Sequence, residues 1–339
     1  MKQKKILFYI ESSAQKGLGH YFRCLALAQE LNKYEIHFIS NERFPDLSNF
    51  FFAENVSFHN GKSENEIIEL VKRECFDLIV IDKLEFPKEF VVYLKINFIS
   101  KVLSFHELEI SDNLSDITIN YNTFKNFRKH TGDKESLSLL GPKYIIFRDE
   151  IRNSRRKVSS GDVENIFISM GGSDPNGLIL VAMDGIESLN ENINFVVHAG
   201  PSFLFGDELK TKIDRSNSRI KLIENVDKIS EFILQADLGI ISGGNTMYEM
   251  VFIGTPSIVI PQNQHQNEFA EELDKLGIVI NINPVNKSTP KDIKKKVLEL
   301  INDKGMRNSM IVKGQTLIDG EGIFRIKKEI VDLIESRIN

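Results

Sequence analysis

Short apolar runs alternate with longer segments of helical apolar spacing along almost the whole chain, the pattern of a parallel sheet covered by helices on both faces. In the first half the runs predict strands at Lys5–Ile10, Glu35–Ser40, Leu78–Ile81 and Ile96–Ser104, and the spacing predicts helices such as His20–Leu31 and Glu64–Glu74. The runs are Ile- and Val-rich and continuous, as strands buried on both faces are. The second half restarts the alternation at Asn165–Met170, Asn194–Ala199, Ile220–Ile223, Leu238–Ser242, Ser257–Ile260 and Ile278–Ile282. Between the halves the chain turns polar and basic, with Arg152, Arg155, Arg156 and Lys157 followed by Ser159-Ser160-Gly161. The expected organisation is an N-terminal domain over 1–150, a linker over 151–162 and a C-terminal domain over 163–318, both α/β, doubly wound and Rossmann-like. A last stripe of Ile323, Ile326, Ile330, Leu333 and Ile334 makes 319–339 a terminal helix that needs a surface to pack on.

Composition narrows the function. The 339 residues amount to about two domains, and 41% hydrophobic content supplies ordinary cores. A formal net charge of -5 gives no global basic field, so nucleic acid is not an expected partner, and a small anion must be held by local groups. Two cysteines, Cys24 and Cys75, are too few for a disulfide framework or a cysteine zinc site and fit a reducing cytoplasm. The run Ile6–Ile10 is too short for a signal region and ends at Glu11, and no stretch reaches the roughly 18 apolar residues that span a bilayer.

Two glycine loops carry the candidate chemistry. Gly17-Leu18-Gly19-His20 and Gly243-Gly244-Asn245-Thr246, with Glu249 after the second, each stand where a strand hands over to a helix. A helix N-terminus offers unpaired N–H groups and a partial positive charge to a phosphate, and glycine lets the backbone come close. Cys24, Leu27, Ala28 and Leu31 form one apolar stripe, and His20 lies one turn upstream of it, at the strand end where open α/β sheets bind ligands. The positive helix end disfavours imidazolium there, so a neutral His20 can take a proton from water or a hydroxyl; otherwise it caps the helix or packs beside Tyr21. Gly171-Gly172-Ser173 offers a further phosphate turn, while Asp174 at an N-cap and Pro175 at N1 would start a helix without any ligand. Thr246 and Glu249 likewise fit a capping box. Gln264 and His265, in the neutral cluster Gln262 to Asn267, suit sugar hydroxyls and acyl groups, or simply an exposed helix start.

The segment Ser12 to Ala28, with its Gly17-Leu18-Gly19-His20, resembles the UDP-sugar hydrolases of pseudaminic acid synthesis and their spore-coat polysaccharide relatives, members of the wider GT-B group. The likeness continues through Leu139 to Tyr144, Ile168 to Pro175, Asp237 to Pro256 and Asp319 to Arg325. It implies two domains facing a central cleft, His20 activating the attacking water, and Glu249 on the nucleotide ribose. Gly17, Gly19, Gly172, Ser173, Gly244, Asn245, Thr246, Gln264 and His265 are the other expected contacts to the UDP-sugar. No Asp-x-Asp holds a metal, no cofactor is implied, and Gly-x-Gly-x-x-Gly does not follow strand one. Departures fall on the sugar side. Tyr9-Ile10-Glu11 stands where the family has Arg-x-Asp, losing a positive charge; His106-Glu107 replaces paired aspartates, and Lys83 replaces an aromatic residue. A transferase using a sugar hydroxyl in place of water is therefore the alternative. Only that reading brings in a membrane, through a patch of Phe44, Phe50, Phe51 and Phe52 that otherwise belongs to a core; no protein partner is implied.

Overall fold

The computed structural model describes residues 3–10, 19–40, 56–60, 63–83, 88–106, 114–122, 128–129, 136–155, 161–187, 189, 192–224, 226, 228–282 and 289–335. It divides into two compact units, Met1–Arg148 with Gly320–Asn339, and Asp149–Asp319.

The first unit holds strands β1 (Lys5–Ile10), β2 (Glu35–Ser40), β3 (Val56–Asn60), β4 (Leu78–Asp82), β5 (Lys101–Phe105), β6 (Ile117–Asn120), β7 (Arg128–Lys129) and β8 (Leu137–Leu140). They line up as β3-β2-β1-β4-β5-β6-β8-β7, and only the β7–β8 pairing is antiparallel. Helices α1 (Gly19–Glu30), α2 (Glu64–Glu74) and α3 (Lys88–Asn97) make the crossovers. Ser63 and Glu66 form a reciprocal capping box that starts α2. Strand order reverses between β1 and β4, so their carboxyl ends form the crevice where such sheets bind ligands. In register there, Ile10 lies opposite Asp82.

The terminal helix Gly322–Glu335 belongs to this first unit, where it packs on α1 and on a turn at Pro142–Tyr144. Ile323, Ile326 and Ile330 are fully buried and Ile334 nearly so, which is the surface the sequence stripe called for. A side chain at Gly322 would strike the Ile145 carbonyl at 2.2 Å. Lys327 reaches Glu30 at 3.0 Å, and the Tyr34 hydroxyl donates to Glu335 at 3.0 Å.

The second unit repeats the design. Strands β9 (Asn165–Ser169), β10 (Asn194–Ala199), β11 (Arg219–Glu224), β12 (Leu238–Ile241), β13 (Ser257–Val259) and β14 (Ile280–Asn281) run parallel in the order β11-β10-β9-β12-β13-β14. Helices α4 (Asp149–Arg152), α5 (Leu178–Ile186), α6 (Gly206–Arg215), α7 (Ile229–Gln235), α8 (Asn245–Ile253), α9 (Gln264–Lys275), α10 (Pro290–Asn302) and α11 (Lys304–Leu317) accompany them. Here the order reverses between β9 and β12. The basic stretch 151–162 opens this unit, its first residues in α4, and 156–160 lie outside the described residues.

Four sequence expectations need correction. The expected strand Ile96–Ser104 merges the end of α3 with β5; Ile96 and Ile99 are 76% and 95% exposed, so the apolar run crosses a turn instead of entering the sheet. Strands β3, β6, β7 and β8 are additional. Asp174 is not the N-cap of α5, which is Gly177 in a left-handed conformation, yet its buried carboxylate accepts from the Leu178 and Ile179 N–H groups at 2.9 and 2.8 Å. The Thr246–Glu249 capping box does not form. α8 starts from Gly244 without a side-chain cap, which puts both residues inside the helix.

Candidate functional site

In the first unit, the helix repeat brings His20, Arg23 and Cys24 to one face of α1, and all three meet Asp82 at the end of β4. His20 Nδ1 is 2.7 Å from Asp82 Oδ1. Arg23 Nε donates to Oδ2 at 2.5 Å, its Nη2 donates to Oδ1, and the Cys24 thiol lies 3.2 Å from Oδ2. Arg23 Nη1 also reaches the Tyr121 hydroxyl, and its guanidinium lies 4.9 Å from the Phe105 ring centre. Asp82 is fully buried. Burial alone would raise its pKa, but Arg23, with His20, holds the carboxyl well below the usual carboxylate range. Burial, reinforced by Asp82, pushes the Cys24 thiol well up, so it stays protonated and donates. A carboxylate and a guanidinium thus set the electrostatics around His20, where the sequence offered only the helix end. Gly19 opens α1; Gly17 and Glu11 lie outside the described residues, as do Glu107 and the phenylalanines 44 and 50–52.

Lys83, the residue after β4, donates to the Tyr9 hydroxyl at 3.0 Å and stands 4.9 Å from its ring centre, so a cation lies beside the tyrosine that stands where the family has an arginine. His106 is buried, with Nε2 2.8 Å from the Ser104 hydroxyl.

In the second unit the loops at the carboxyl ends of β9, β12 and β13 are joined by two glutamines. Gln266 Oε1 accepts from the N–H groups of Gly243 at 3.2 Å and Gln262 at 2.9 Å. Gln262 Nε2 in turn donates to the Met170 and Ser173 carbonyls at 2.7 and 3.0 Å. These bonds gather Gly172, Ser173, Gly244, Asn245, Thr246, Gln264 and His265 around the switch point of β9 and β12. Gly172 and Asn245 are exposed, while Ser173, Gly244 and Thr246 are half-buried. Glu249 lies one turn into α8, half-buried. Gln264 is exposed and approaches Glu268 at 3.4 Å; the His265 ring meets Phe269 edge-on at 4.3 Å. Gly200 closes the platform from β10, since a Cβ there would lie 2.2 Å from the Gly171 carbonyl oxygen.

Asp82, Arg23 and Tyr121 were not among the residues singled out in the sequence, and Gln262 and Gln266 stood there only as part of a polar cluster. The available signal was a lone acid ending the apolar run Leu78–Ile81. One described cluster has metal-ligand composition, Glu35, His37 and Glu74. Lys5 already bridges its carboxylates at 3.0 and 2.8 Å, far along the strands from the switch point.

Residues 165–319 match the glycosyltransferase family 28 C-terminal domain. An uncharacterized protein of Methanocaldococcus jannaschii is 30% identical over 83% of this chain, which spans only 60% of that protein's length. The spore coat polysaccharide biosynthesis protein SpsG of Bacillus subtilis is 26% identical, with 97% of this chain and 98% of the relative aligned. A UDP-2,4-diacetamido-2,4,6-trideoxy-beta-L-altropyranose hydrolase of Campylobacter jejuni is 24% identical over 80% of this chain and 97% of its own length. In fold, MurG of Acinetobacter baumannii superposes with TM-score 0.69 at 15% identity over 98% of this chain and 100% of its own. The calicheamicin glycosyltransferase CalG4 gives 0.70 at 15% identity, with both chains fully covered. With two doubly wound units, a match to the family 28 C-terminal domain in the second and full-length likeness to SpsG, the chain has the GT-B fold and is similar in sequence to SpsG and to the UDP-diacetamido-trideoxy-altropyranose hydrolase.

Proposed function

We propose that the chain hydrolyses a UDP-linked acylamino deoxy-sugar of the 2,4-diacetamido-2,4,6-trideoxy-hexose type, in the synthesis of a nonulosonic acid or surface polysaccharide. The observation that carries the reading is the His20–Asp82 pair at the switch point of the first unit, 2.7 Å apart with the acid fully buried. Water attacks the anomeric carbon with inversion and gives its proton to His20, while the bond from that carbon to the diphosphate oxygen breaks and UDP leaves. The N-terminus of α8 and the Gly171–Ser173 turn supply N–H donors to the diphosphate, and Glu249 binds the ribose. With no Asp-x-Asp in the sequence, those N–H groups take the place of a metal. Likeness to the Campylobacter hydrolase supports the substrate class.

A second reading, transfer to a sugar hydroxyl, rests on Tyr9 and Lys83, whose pairing differs from the hydrolase pattern on the sugar side. The test follows free UDP and reducing sugar from a panel of UDP-sugars, with and without acceptors. Sugar released without acceptor is the expected result; UDP release that requires an acceptor removes hydrolysis. His20→Ala should lower turnover at least ~100-fold with UDP affinity unchanged, and undiminished turnover would exclude His20 as the base.

A further inference from the structure

We infer that Arg23 is a positioning residue that selects the tautomer of His20, keeping the proton on Nδ1 and the lone pair on Nε2. The inference rests on the reading of His20 as the base and extends it to the groups behind the ring.

Nδ1 faces two partners with opposite requirements. Asp82 Oδ1, at 2.7 Å, accepts when ionised; Arg23 Nη2, at 2.8 Å, only donates. With its proton on Nδ1 the ring donates to Asp82 and keeps Nε2 as a base. With the proton on Nε2, Nδ1 accepts from Arg23, and the outward nitrogen is an N–H that cannot take a proton from water.

The outcome depends on how Arg23 is engaged. Its fork is spent on the carboxylate, Nε on Oδ2 at 2.5 Å and Nη2 on Oδ1, while Nη1 is held by the Tyr121 hydroxyl. The Phe105 ring, 4.9 Å from Cζ, holds the guanidinium in that plane. A bidentate fork fixes both the rotation and the charge of a buried carboxylate, which a lysine ammonium does not. Without it, a carboxyl with no solvent exposure takes up a proton and becomes a donor to Nδ1. The His20 proton then moves to Nε2 and the base is lost, although His20 itself is untouched.

The tautomer is read by nitrogen NMR on full-length protein labelled with [15N]histidine, the His20 signals being identified by their loss in His20→Ala. Wild type should show protonated Nδ1. Arg23→Met and Asp82→Asn should both move the proton to Nε2, and Arg23→Lys should give a mixture. With UDP-2,4-diacetamido-2,4,6-trideoxy-beta-L-altropyranose as the probe substrate, kcat of Arg23→Met should fall at least about 10-fold, with KM within about 2-fold. A folded Arg23→Met that keeps the proton on Nδ1 overturns the inference. If Arg23→Met does not fold, Arg23→Lys carries the same measurement, and an unchanged tautomer there overturns it equally. The spectrum needs no substrate, so it fails or succeeds apart from the turnover of His20→Ala, whose persistence would overturn the base reading alone.

Discussion

Asp82 is where a single residue changes meaning between sequence and structure. In the sequence it ends an apolar run; in the fold it is the common partner of three α1 side chains roughly sixty residues earlier in the chain, a convergence that no local pattern encodes. His20 was legible because its chemistry is local, a histidine after glycines at a strand-to-helix junction. The capping-box alternative for Thr246 and Glu249 fails for a related reason: its four-residue pattern is present, but Gly244 takes the cap position and moves both residues into the helix. The glycines of the second unit separate in the same way. Gly172 has open space where a Cβ would go, whereas one at Gly200 would collide with the Gly171 and Gly172 carbonyls at 2.2 and 2.6 Å. Gly200→Ala should therefore weaken UDP binding at least ~10-fold by displacing the turn, with a lower Tm, while Gly172→Ala leaves Tm unchanged. Calorimetric titration and thermal unfolding of the two variants check the contrast, and equal Tm values would disprove it.

At the scale of elements, the alternation of strand and helix was readable because buried parallel strands need continuous apolar runs. β3 escaped because Val56-Ser57-Phe58-His59-Asn60 has no such run and sits at the sheet edge with Phe58 40% exposed. The false strand Ile96–Ser104 has the opposite cause, apolar residues that the fold leaves in water. These two environments predict different costs for the same truncation. Ile330→Ala, in the fully buried stripe of the terminal helix, should cost about 2–5 kcal/mol in urea unfolding, and Ile99→Ala less than about 0.5 kcal/mol. Similar losses at both positions would contradict the packing described for that helix.

For the whole molecule, the pH response is set in part by Lys5 and Glu74, 2.8 Å apart. Lys5, and after it Arg73, pull the Glu74 carboxyl from 4.5 to about 2, and Glu74 raises Lys5 above its usual 10.5. Stability from a lowered carboxyl is fully present above its unfolded pKa of 4.5 and is lost as pH falls toward 2. Stability from the raised amine holds below 10.5 and is lost as pH rises through the folded value. Glu74→Gln should accordingly be less stable than wild type at pH 7, with the gap closing between pH 4.5 and about 2 in urea titrations. A gap independent of pH would assign the effect to packing. The first unit is also discontinuous in sequence, since Gly320–Asn339 belong with Met1–Arg148 while Asp149–Asp319 form the second unit by themselves. On the ribosome, then, the unit whose synthesis begins first is the last to be completed. Until the terminal helix emerges, its contact face on α1 stays uncovered, and in that interval the nascent chain exposes apolar surface of the kind that chaperones bind.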